Sequence, residues 1–337
     1  MRALAIQGPG QAGLIDVPMP EPREGELLLR VRYVGMCGTD LNSFRGRNPM
    51  VTFPRIPGHE IAASIVETRS SDARWRTGMD VTLSPYTSCG ACSSCLRGRA
   101  NACLHNETLG VQRDGAMTEF IAVPAEKLYT AALSLKELCI VEPLTVGFHA
   151  VARGRIESAD MVAVFGCGGV GLGAIAGAAF RGAAVIAIDV DDRKLAVAMQ
   201  AGAMHAVNSA KEDLHESLQR LTNRRGPDVV IEAIGLPQTF RAAVEEVAFT
   251  GRVVYIGYAK EPVSYETRLF VQKELDILGT RNAQPADFRE VIRMLEEKRF
   301  PVEAAISVVA PLEEAGNLLR AWSDDPSRYQ KIMVKID

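Results

Sequence analysis

Four cysteines in the first half of the chain have the spacing of a metal site. Cys89, Cys92, Cys95 and Cys103 form the pattern Cys-x2-Cys-x2-Cys-x7-Cys. Four thiolates in one short segment can converge on a single Zn²⁺, which prefers a closed tetrahedron of sulfur ligands. A closed set leaves no position for a substrate, so the spacing predicts a structural zinc. Disulfides or an iron–sulfur cluster are the alternatives.

A second group of metal-ligand residue types is spread over the same half of the chain. Cys37 begins the stretch Cys-Gly-Thr-Asp, His59 and Glu60 follow a glycine, and Glu142 precedes a proline. Mixed sulfur, nitrogen and oxygen donors leave a coordination position for water or substrate, as a catalytic zinc requires. Each residue alone also has an ordinary explanation, such as a buried cysteine or a loop histidine. Sequence separation does not show that these residues meet in space.

A glycine-rich turn in the second half indicates a nucleotide cofactor. The motif Gly-x-Gly-x-x-Gly occupies residues 166–171, between a predicted strand and a predicted helix, and Asp189 ends the next predicted strand. Such glycines let the backbone approach a pyrophosphate at a helix N-terminus. Asp189 can accept hydrogen bonds from ribose hydroxyls and repels a 2′-phosphate, which favours NAD over NADP. The predicted cofactor contacts are Gly166, Gly168, Gly169, Val170, Gly171, Asp189, Arg193 and Gly257.

The elements that must position these residues differ along the chain. Residues 1–148 carry short apolar runs broken by proline and glycine, which is typical of β-strands joined by long loops. Residues 149–279 alternate near-continuous apolar runs with helical segments, which predicts a parallel sheet covered on both faces. Residues 280–337 end in an apolar run that we expect to return to the first domain. The predicted fold is α/β: a doubly wound Rossmann domain and a β-rich domain with a zinc lobe at 87–105.

Composition excludes several classes of function. The 337 residues, 47% of them hydrophobic, suffice for two domains with cores of their own. A net charge of −3 gives no attraction for nucleic acid or an anionic membrane, so neither partner is expected. Seven cysteines are too few for a disulfide scaffold and indicate a reducing compartment. Since the chain shows no signal-peptide or membrane-spanning pattern, a cytoplasmic protein is expected.

Together the motifs resemble those of the zinc-dependent medium-chain dehydrogenases/reductases, over essentially the whole chain. The motifs that carry this resemblance, in chain order, are Cys37-Gly-Thr-Asp40, Gly58-His-Glu60, the four-cysteine segment, Glu142-Pro143 and the glycine motif. A narrower likeness, to the sorbitol dehydrogenase and L-galactonate or L-gulonate dehydrogenase branch, is carried by residues 83–86, 279–282 and 285–288.

The resemblance implies a GroES-like first domain, one catalytic and one structural zinc per subunit, and a homodimer or homotetramer. It implies that a secondary alcohol of a polyol or sugar acid (galactitol-, L-galactonate- or L-gulonate-like) is oxidised to a ketone, with hydride transfer to NAD. The alternative substrate is another small alcohol, sorbitol-, butanediol- or threonine-like. Alternatives from other classes are a non-enzymatic NAD-binding protein and a zinc-ribbon nucleic-acid binder. The intact catalytic set and the net charge oppose them.

Individual residues take roles from the same resemblance. Cys37 and His59 match ligands of the catalytic zinc, and Glu142 matches a third ligand that binds directly or through water. Glu60 matches a residue that binds the metal transiently or orients the histidine. Thr39 matches the hydroxyl that starts a proton relay from the substrate alcohol. For Arg281, a contact to a distal substrate group and a contact to the cofactor remain open.

Three positions depart from the family pattern. Ala63 replaces a common glycine, and Asn42 replaces a histidine often found after Cys-Gly-Thr-Asp, so the later steps of the relay differ here. Ser43 replaces the tyrosine of sorbitol dehydrogenases, which argues against sorbitol itself as the substrate.

Overall fold

The structure is a computed structural model of the protein and describes residues 1–336. The backbone divides into two units: residues 1–142 with 302–336, and Pro143–Pro301. The sequence predicts boundaries after residues 148 and 279, whereas the structure divides the chain after residues 142 and 301.

Strands form the sheets of both units. In chain order they are β1 (Arg2–Gly8), β2 (Gln11–Asp16), β3 (Glu26–Met36), β4 (Glu60–Thr68), β5 (Asp80–Leu83), β6 (Phe120–Pro124), β7 (Leu128–Tyr129), β8 (Met161–Phe165), β9 (Ala184–Asp189), β10 (His205–Asn208), β11 (Val229–Glu232), β12 (Arg252–Tyr255), β13 (Asp276–Gly279), β14 (Val308–Pro311) and β15 (Ile332–Lys335).

The helices of the described residues are α1 (Gly38–Phe44), α2 (Ser93–Leu96), α3 (Leu135–Arg153), α4 (Gly169–Phe180), α5 (Asp192–Gln200), α6 (Leu214–Leu221), α7 (Pro237–Glu246), α8 (Arg268–Gln272), α9 (Pro285–Glu296), α10 (Val302–Ala305) and α11 (Ala315–Asp324). Short 3₁₀ turns occupy Ala100–Ala102, Ala125–Lys127 and Leu312–Glu314. None of these helices combines the length and the apolar character that crossing a bilayer requires.

The first unit is built on a seven-stranded sheet. Its strand order is β14-β15-β3-β4-β5-β7, and β6 also pairs with β3. The long central strand β3 carries Leu27, Leu29 and Val31, which are fully buried in the core of this unit, and Arg30 between them is exposed. This alternation is what a strand with one face on a core produces. The predicted β-rich character of this region is confirmed.

Three neighbouring strands of this sheet bring distant parts of the chain together. β15, from the C-terminal part of the chain, pairs antiparallel with β3, with Ile332 opposite Met36. β4 pairs with β3 on the other side, with Glu60 opposite Gly35. Cys37 therefore leaves the end of β3 at the point where His59 enters β4.

The second unit is a doubly wound α/β fold, as predicted. Its six strands are all parallel in the order β10-β9-β8-β11-β12-β13, so the winding reverses direction beside β8. The apolar run of β8 is buried from Val162 to Phe165, as expected for a strand covered on both faces. At such a reversal the carboxyl ends of the strands form the usual place for a nucleotide.

The segment after β13 belongs to the second unit as far as residue 301. In α9, Phe288 and Val291 are fully buried, and Asp287 Oδ2 lies 2.9 Å from His149 Nδ1 of α3. Both members of this pair are buried. The burial of one face of α9 explains why residues 280–301 extend this unit.

Candidate active site

The four lobe cysteines converge to form a small cage of sulfur atoms. Cys92 Sγ lies 3.5 Å from that of Cys95 and 3.8 Å from that of Cys103, and Cys103 Sγ lies 3.6 Å from that of Cys89. A tetrahedron with Zn–S bonds of about 2.3 Å has sulfur atoms about 3.8 Å apart, so the cage has the size of a zinc site. None of the four forms a disulfide, which argues against the disulfide alternative.

Within this cage, local polar groups favour the thiolate form of Cys89 and Cys92, whereas burial and the neighbouring thiols raise the pKa of Cys95 to about 12. The backbone N–H of Cys92 donates to Cys89 Sγ at 3.3 Å, and the N–H of Cys89 donates to Cys103 Sγ at 3.3 Å. The Ser94 hydroxyl and a backbone N–H lower the pKa of Cys92 to about 5. Since thiolates are the form that binds zinc, the cage fits a structural zinc ion.

The mixed donors also converge, inside the first unit. Cys37 Sγ lies 3.0 Å from His59 Nε2. Ligand atoms of His59, Glu60 and Glu142 all lie within 4.8 Å of one another. His59, Glu60 and Glu142 are buried, and His59 Nδ1 lies 3.9 Å from Asp40 Oδ1. A buried sulfur, nitrogen and oxygen set with two carboxylates fits a divalent cation, because such charges are costly to bury without one.

The turn from β3 into α1 fixes Cys37. Its Sγ accepts the N–H of Thr39 at 3.2 Å, and Asp40 accepts the N–H of Cys37 at 2.9 Å, so the two residues cap the helix reciprocally. Thr39 is half-buried beside Cys37. Ser43, a position where the sequence departs from the family, donates to the carbonyl oxygen of Thr39 at 2.8 Å.

Tyr86 and Glu142 form a buried pair that sequence reasoning missed. The Tyr86 hydroxyl donates to Glu142 Oε1. Burial and the neighbouring Glu142 raise the pKa of Tyr86 well above its usual range, so the phenol remains a donor. Burial raises the pKa of Glu142 to about 7, although His59 opposes this rise. In the sequence, Tyr86 stands out only as part of the branch-specific segment 83–86.

Glu60 pairs with Lys331, a partner that sequence reasoning also missed. Lys331 Nζ lies 2.6 Å from Glu60 Oε1 and 2.7 Å from Oε2, and it also donates to the Met36 carbonyl at 3.2 Å. Only 5% of Lys331 is exposed. Burial lowers the pKa of Lys331, but the charge of Glu60 outweighs it, so that the pKa is raised. The one signal in the sequence is a lysine at the entrance to an apolar strand.

The glycine motif forms an open cradle in the second unit. Gly166 has a φ of +96°, and a Cβ at Gly171 would lie 1.9 Å from the Gly166 carbonyl oxygen, so neither position accepts a side chain without strain. A Cβ at Gly168 would meet nothing within 4 Å. Gly169 and Val170 begin α4, and no side chain caps its first N–H groups. An open backbone with uncapped N–H groups fits a phosphate ligand.

Asp189 supports this cradle as well as facing it. Its Oδ2 accepts the N–H of Cys167 at 2.8 Å, and its Oδ1 accepts the N–H groups of Val190 at 2.8 Å and Asp191 at 3.1 Å. Arg193 Nη2 lies 2.7 Å from Asp191 Oδ2. A Cβ at Gly257 would lie 2.4 Å from Glu232 Oε2. Arg281 follows β13 by two positions, in the second unit.

Comparison with known proteins agrees with the description of both units. Residues 23–132 match the alcohol dehydrogenase GroES-like domain, and residues 169–297 match the zinc-binding dehydrogenase domain. The chain is 30% identical to L-galactonate-5-dehydrogenase of Escherichia coli over 91% of both chains.

Two solved structures have the same fold over nearly their whole length. An Escherichia coli alcohol dehydrogenase in complex with NADH is 28% identical, with a TM-score of 0.92 over 99% of each chain. A zinc-binding dehydrogenase of Sinorhizobium meliloti bound to NADP is 28% identical, with a TM-score of 0.91 over 99% of this chain and 98% of that one. The chain belongs to the zinc-dependent medium-chain dehydrogenase/reductase family, in its polyol and sugar-acid branch.

Proposed function

We propose that the protein oxidises a secondary alcohol of a polyol or sugar acid to a ketone and transfers the hydride to NAD. The observation that carries this proposal is that buried His59 lies between two sets of possible metal ligands, one with Cys37 and one with Glu142. The similarity to a dehydrogenase of L-galactonate supports a polyhydroxylated substrate. On this proposal the first unit is the catalytic domain and the second binds the cofactor.

Each residue of the mixed-donor site in the first unit has a defined task in the proposed reaction. Cys37, His59 and Glu142 would hold Zn²⁺, with Glu60 beside them. The bound ion supplies Lewis acidity, which lowers the pKa of a substrate hydroxyl. Thr39 accepts the proton that this hydroxyl loses and passes it toward solvent. Tyr86 holds the carboxylate of Glu142 in one orientation, and Asp40 fixes the turn that carries Cys37.

The proposed preference for NAD rests on Asp189. Its carboxylate lies at the end of β9, and both of its oxygens accept backbone N–H groups beside the glycine cradle. An anion there repels the 2′-phosphate of NADP. Because a relative binds NADP, we test this preference directly. Asp189→Ala should shift the kcat/KM ratio toward NADP by about tenfold or more, and Asp213→Ala serves as a control.

We propose that Arg281 contacts the substrate or the cofactor. We also propose that the protein assembles as a homodimer or a homotetramer. In the second unit, β13 lies at the edge of the sheet and exposes 40% of Ile277. An unpaired edge with apolar side chains is a surface on which a second copy can dock. Sedimentation velocity measures the assembly.

A spectrophotometric screen tests the activity itself. Hexitols, pentitols, aldonates and simple alcohols are offered with NAD, and NADH formation is followed. His59→Ala and Cys37→Ser should each lower kcat by at least about a hundredfold, because each removes a metal ligand. His215→Ala, at a side chain 58% exposed, is the matched control. Full activity in the two site variants would refute the zinc mechanism.

A further inference from the structure

Glu232 is a fully buried residue at the point where the winding of the second unit reverses. It ends β11, and the sheet register places it beside Phe165 of β8 and Tyr255 of β12. The glycine cradle follows β8, and Gly257 lies two positions after the end of β12. At such a reversal a dinucleotide crosses from one half of the sheet to the other. Glu232 therefore lies beneath the place where the cofactor is expected to cross.

One oxygen of Glu232 holds the loop that follows β11, residues 233–236, which we call the β11 loop. Oε1 accepts the N–H of Ile234 at 3.0 Å, the N–H of Gly235 at 2.8 Å and the Thr239 hydroxyl at 2.7 Å. Oε2 is buried as well, and it accepts no hydrogen bond from the residues that the structure describes. The polar contacts of the side chain therefore end on a single oxygen, so an amide oxygen in its place would serve the same donors.

The other oxygen packs against the turn at Gly257. A Cβ at Gly257 would lie 2.4 Å from Glu232 Oε2 and 2.5 Å from the backbone nitrogen of Gly235, so only a glycine fits there. The Glu232 carbonyl accepts the N–H of Gly257 at 3.2 Å. Gly235 has a φ of +89°, which is a conformation that favours glycine. Glu232 thus fastens the β11 loop and the turn at Gly257 to each other through its side chain and its backbone.

The β11 loop presents exposed apolar side chains next to the glycine cradle. Ile234 and Leu236 are both partly exposed, at 43% and 45%. A Cβ at Gly166 would lie 2.7 Å from Ile234 Cγ1, so the loop directly borders the cradle. Apolar groups line most of the surface of a ligand cleft, and a few polar groups set the orientation of the ligand. The β11 loop therefore has the position and the character of a wall of the cofactor cleft.

We infer that Glu232 is a positioning residue that fixes this wall for the nicotinamide half of the cofactor. The inference rests on the proposed function, because it presupposes a dinucleotide bound at the glycine cradle. A doubly wound sheet binds one mononucleotide with each of its halves. Asp189 ends β9, in the half assigned to the adenosine, whereas Glu232 ends β11, in the other half. Loss of the Glu232 hydrogen bonds should therefore weaken binding of the nicotinamide half and leave binding of the adenosine half unchanged.

Nucleotide binding without turnover tests the inference. In the full-length protein, the Kd of NADH is measured by fluorescence and the Kd of ADP, which lacks the nicotinamide half, by calorimetry. Glu232→Met keeps the length of the side chain and removes its acceptors. We expect it to raise the Kd of NADH by about tenfold or more and to change the Kd of ADP by less than about threefold. The emission of bound NADH, which reports the surroundings of the nicotinamide ring, should move toward that of free NADH.

Three further variants separate positioning from stability. Glu232→Gln retains an oxygen for the three donors to Oε1 and should keep the Kd of NADH within about threefold of the wild-type value. Thr239→Val removes one of these donors and should cause a smaller loss with the same selectivity for NADH. Glu245→Met, at an exposed glutamate of α7, is the matched control and should change neither Kd. Circular dichroism establishes that each variant is folded.

The outcomes are distinct. Equal losses for NADH and ADP in a folded Glu232→Met protein, or no loss for either, overturn the inference. It is also overturned if Glu232→Gln loses NADH binding as severely as Glu232→Met. If Glu232→Met fails to fold, Thr239→Val decides: a loss confined to NADH supports the inference, and any other result overturns it.

Failure of the proposed function gives a different pattern. If the wild-type protein binds NADPH in place of NADH, the proposed cofactor preference fails, and the same measurements with NADPH test the role of Glu232. If the wild-type protein binds neither dinucleotide, the proposed function fails, and the inference fails with it.

Discussion

The two candidate metal sites of the first unit are built in opposite ways. The lobe takes all four ligands from Cys89–Cys103, and its first cysteine is exposed. The mixed site takes its donors from the end of β3, the start of β4 and the middle of α3, and most of them are buried. One site is local in sequence and close to solvent, whereas the other exists only when distant segments have folded together.

This difference determines what each site can do. The lobe is a closed sulfur set, so the energy of metal binding goes into holding one loop in place. The mixed site has fewer soft donors and two carboxylates, each with a partner of its own: Tyr86 for Glu142 and Lys331 for Glu60. Such partners orient the donors and tune their charge, which is typical of sites that act on a substrate.

The largest effect should come from removing the buried ligand of the lobe. Cys103 is fully buried, and Cys103→Ser leaves three thiolates at a site that needs four. Because metal binding is coupled to folding, we expect zinc content to fall by about one ion per chain and stability to fall by several kcal/mol, on the order of 5. Elemental analysis and thermal unfolding measure the two quantities.

Cys167→Ala is the matched control for that variant, since Cys167 is equally buried but lies in the second unit. It should keep the full zinc content. If Cys103→Ser also kept it, the lobe would not be a metal site and the contrast between the two sites would be lost.

A smaller effect should follow from changing a partner in the mixed site. Tyr86→Phe removes the hydroxyl that donates to Glu142 and leaves a buried carboxylate oxygen with one bond fewer. Such a loss costs about 1–3 kcal/mol, and when it falls on the transition state it decreases kcat by about fivefold to 150-fold. Steady-state kinetics measures it, with Tyr258→Phe, 78% exposed, as the control. Unchanged kcat would mean that Tyr86 does not position Glu142.

Much of the fold was predictable because its signals are local. The apolar runs of β8 and β9, with a glycine turn between strand and helix, define a parallel nucleotide-binding sheet without reference to distant residues. The unit to which α9 belongs was not predictable. It depends on the burial of Phe288 and on the contact between Asp287 and His149, which are 138 residues apart.

The two candidate metal sites also differ in how much of them the sequence predicts. The cysteine spacing alone predicts a convergent lobe, and the structure places the four sulfurs within reach of one ion. The partners of the mixed site lie far along the chain from the residues they support. Tyr86 is 56 residues from Glu142, and Lys331 is 271 residues from Glu60. No local pattern marks such pairs, because the order of the strands brings the second pair together.

The smallest expected effect is on the reactivity of thiols. The comparison is between Cys92 in the lobe and Cys139 near the mixed site. In zinc-free protein, the hydrogen bond between Cys92 and Ser94 lowers the pKa of Cys92 to about 5, whereas burial raises the pKa of Cys139. The thiolate is the reactive form, so iodoacetamide should label Cys92 at neutral pH, and labelling should slow as the pH falls through about 5. Cys139 should stay unlabelled in the folded protein. Mass spectrometry of peptides quantifies both sites, and Ser94→Ala should move the midpoint for Cys92 to higher pH. Equal labelling of Cys92 and Cys139 would contradict the contrast between an open lobe and a buried site.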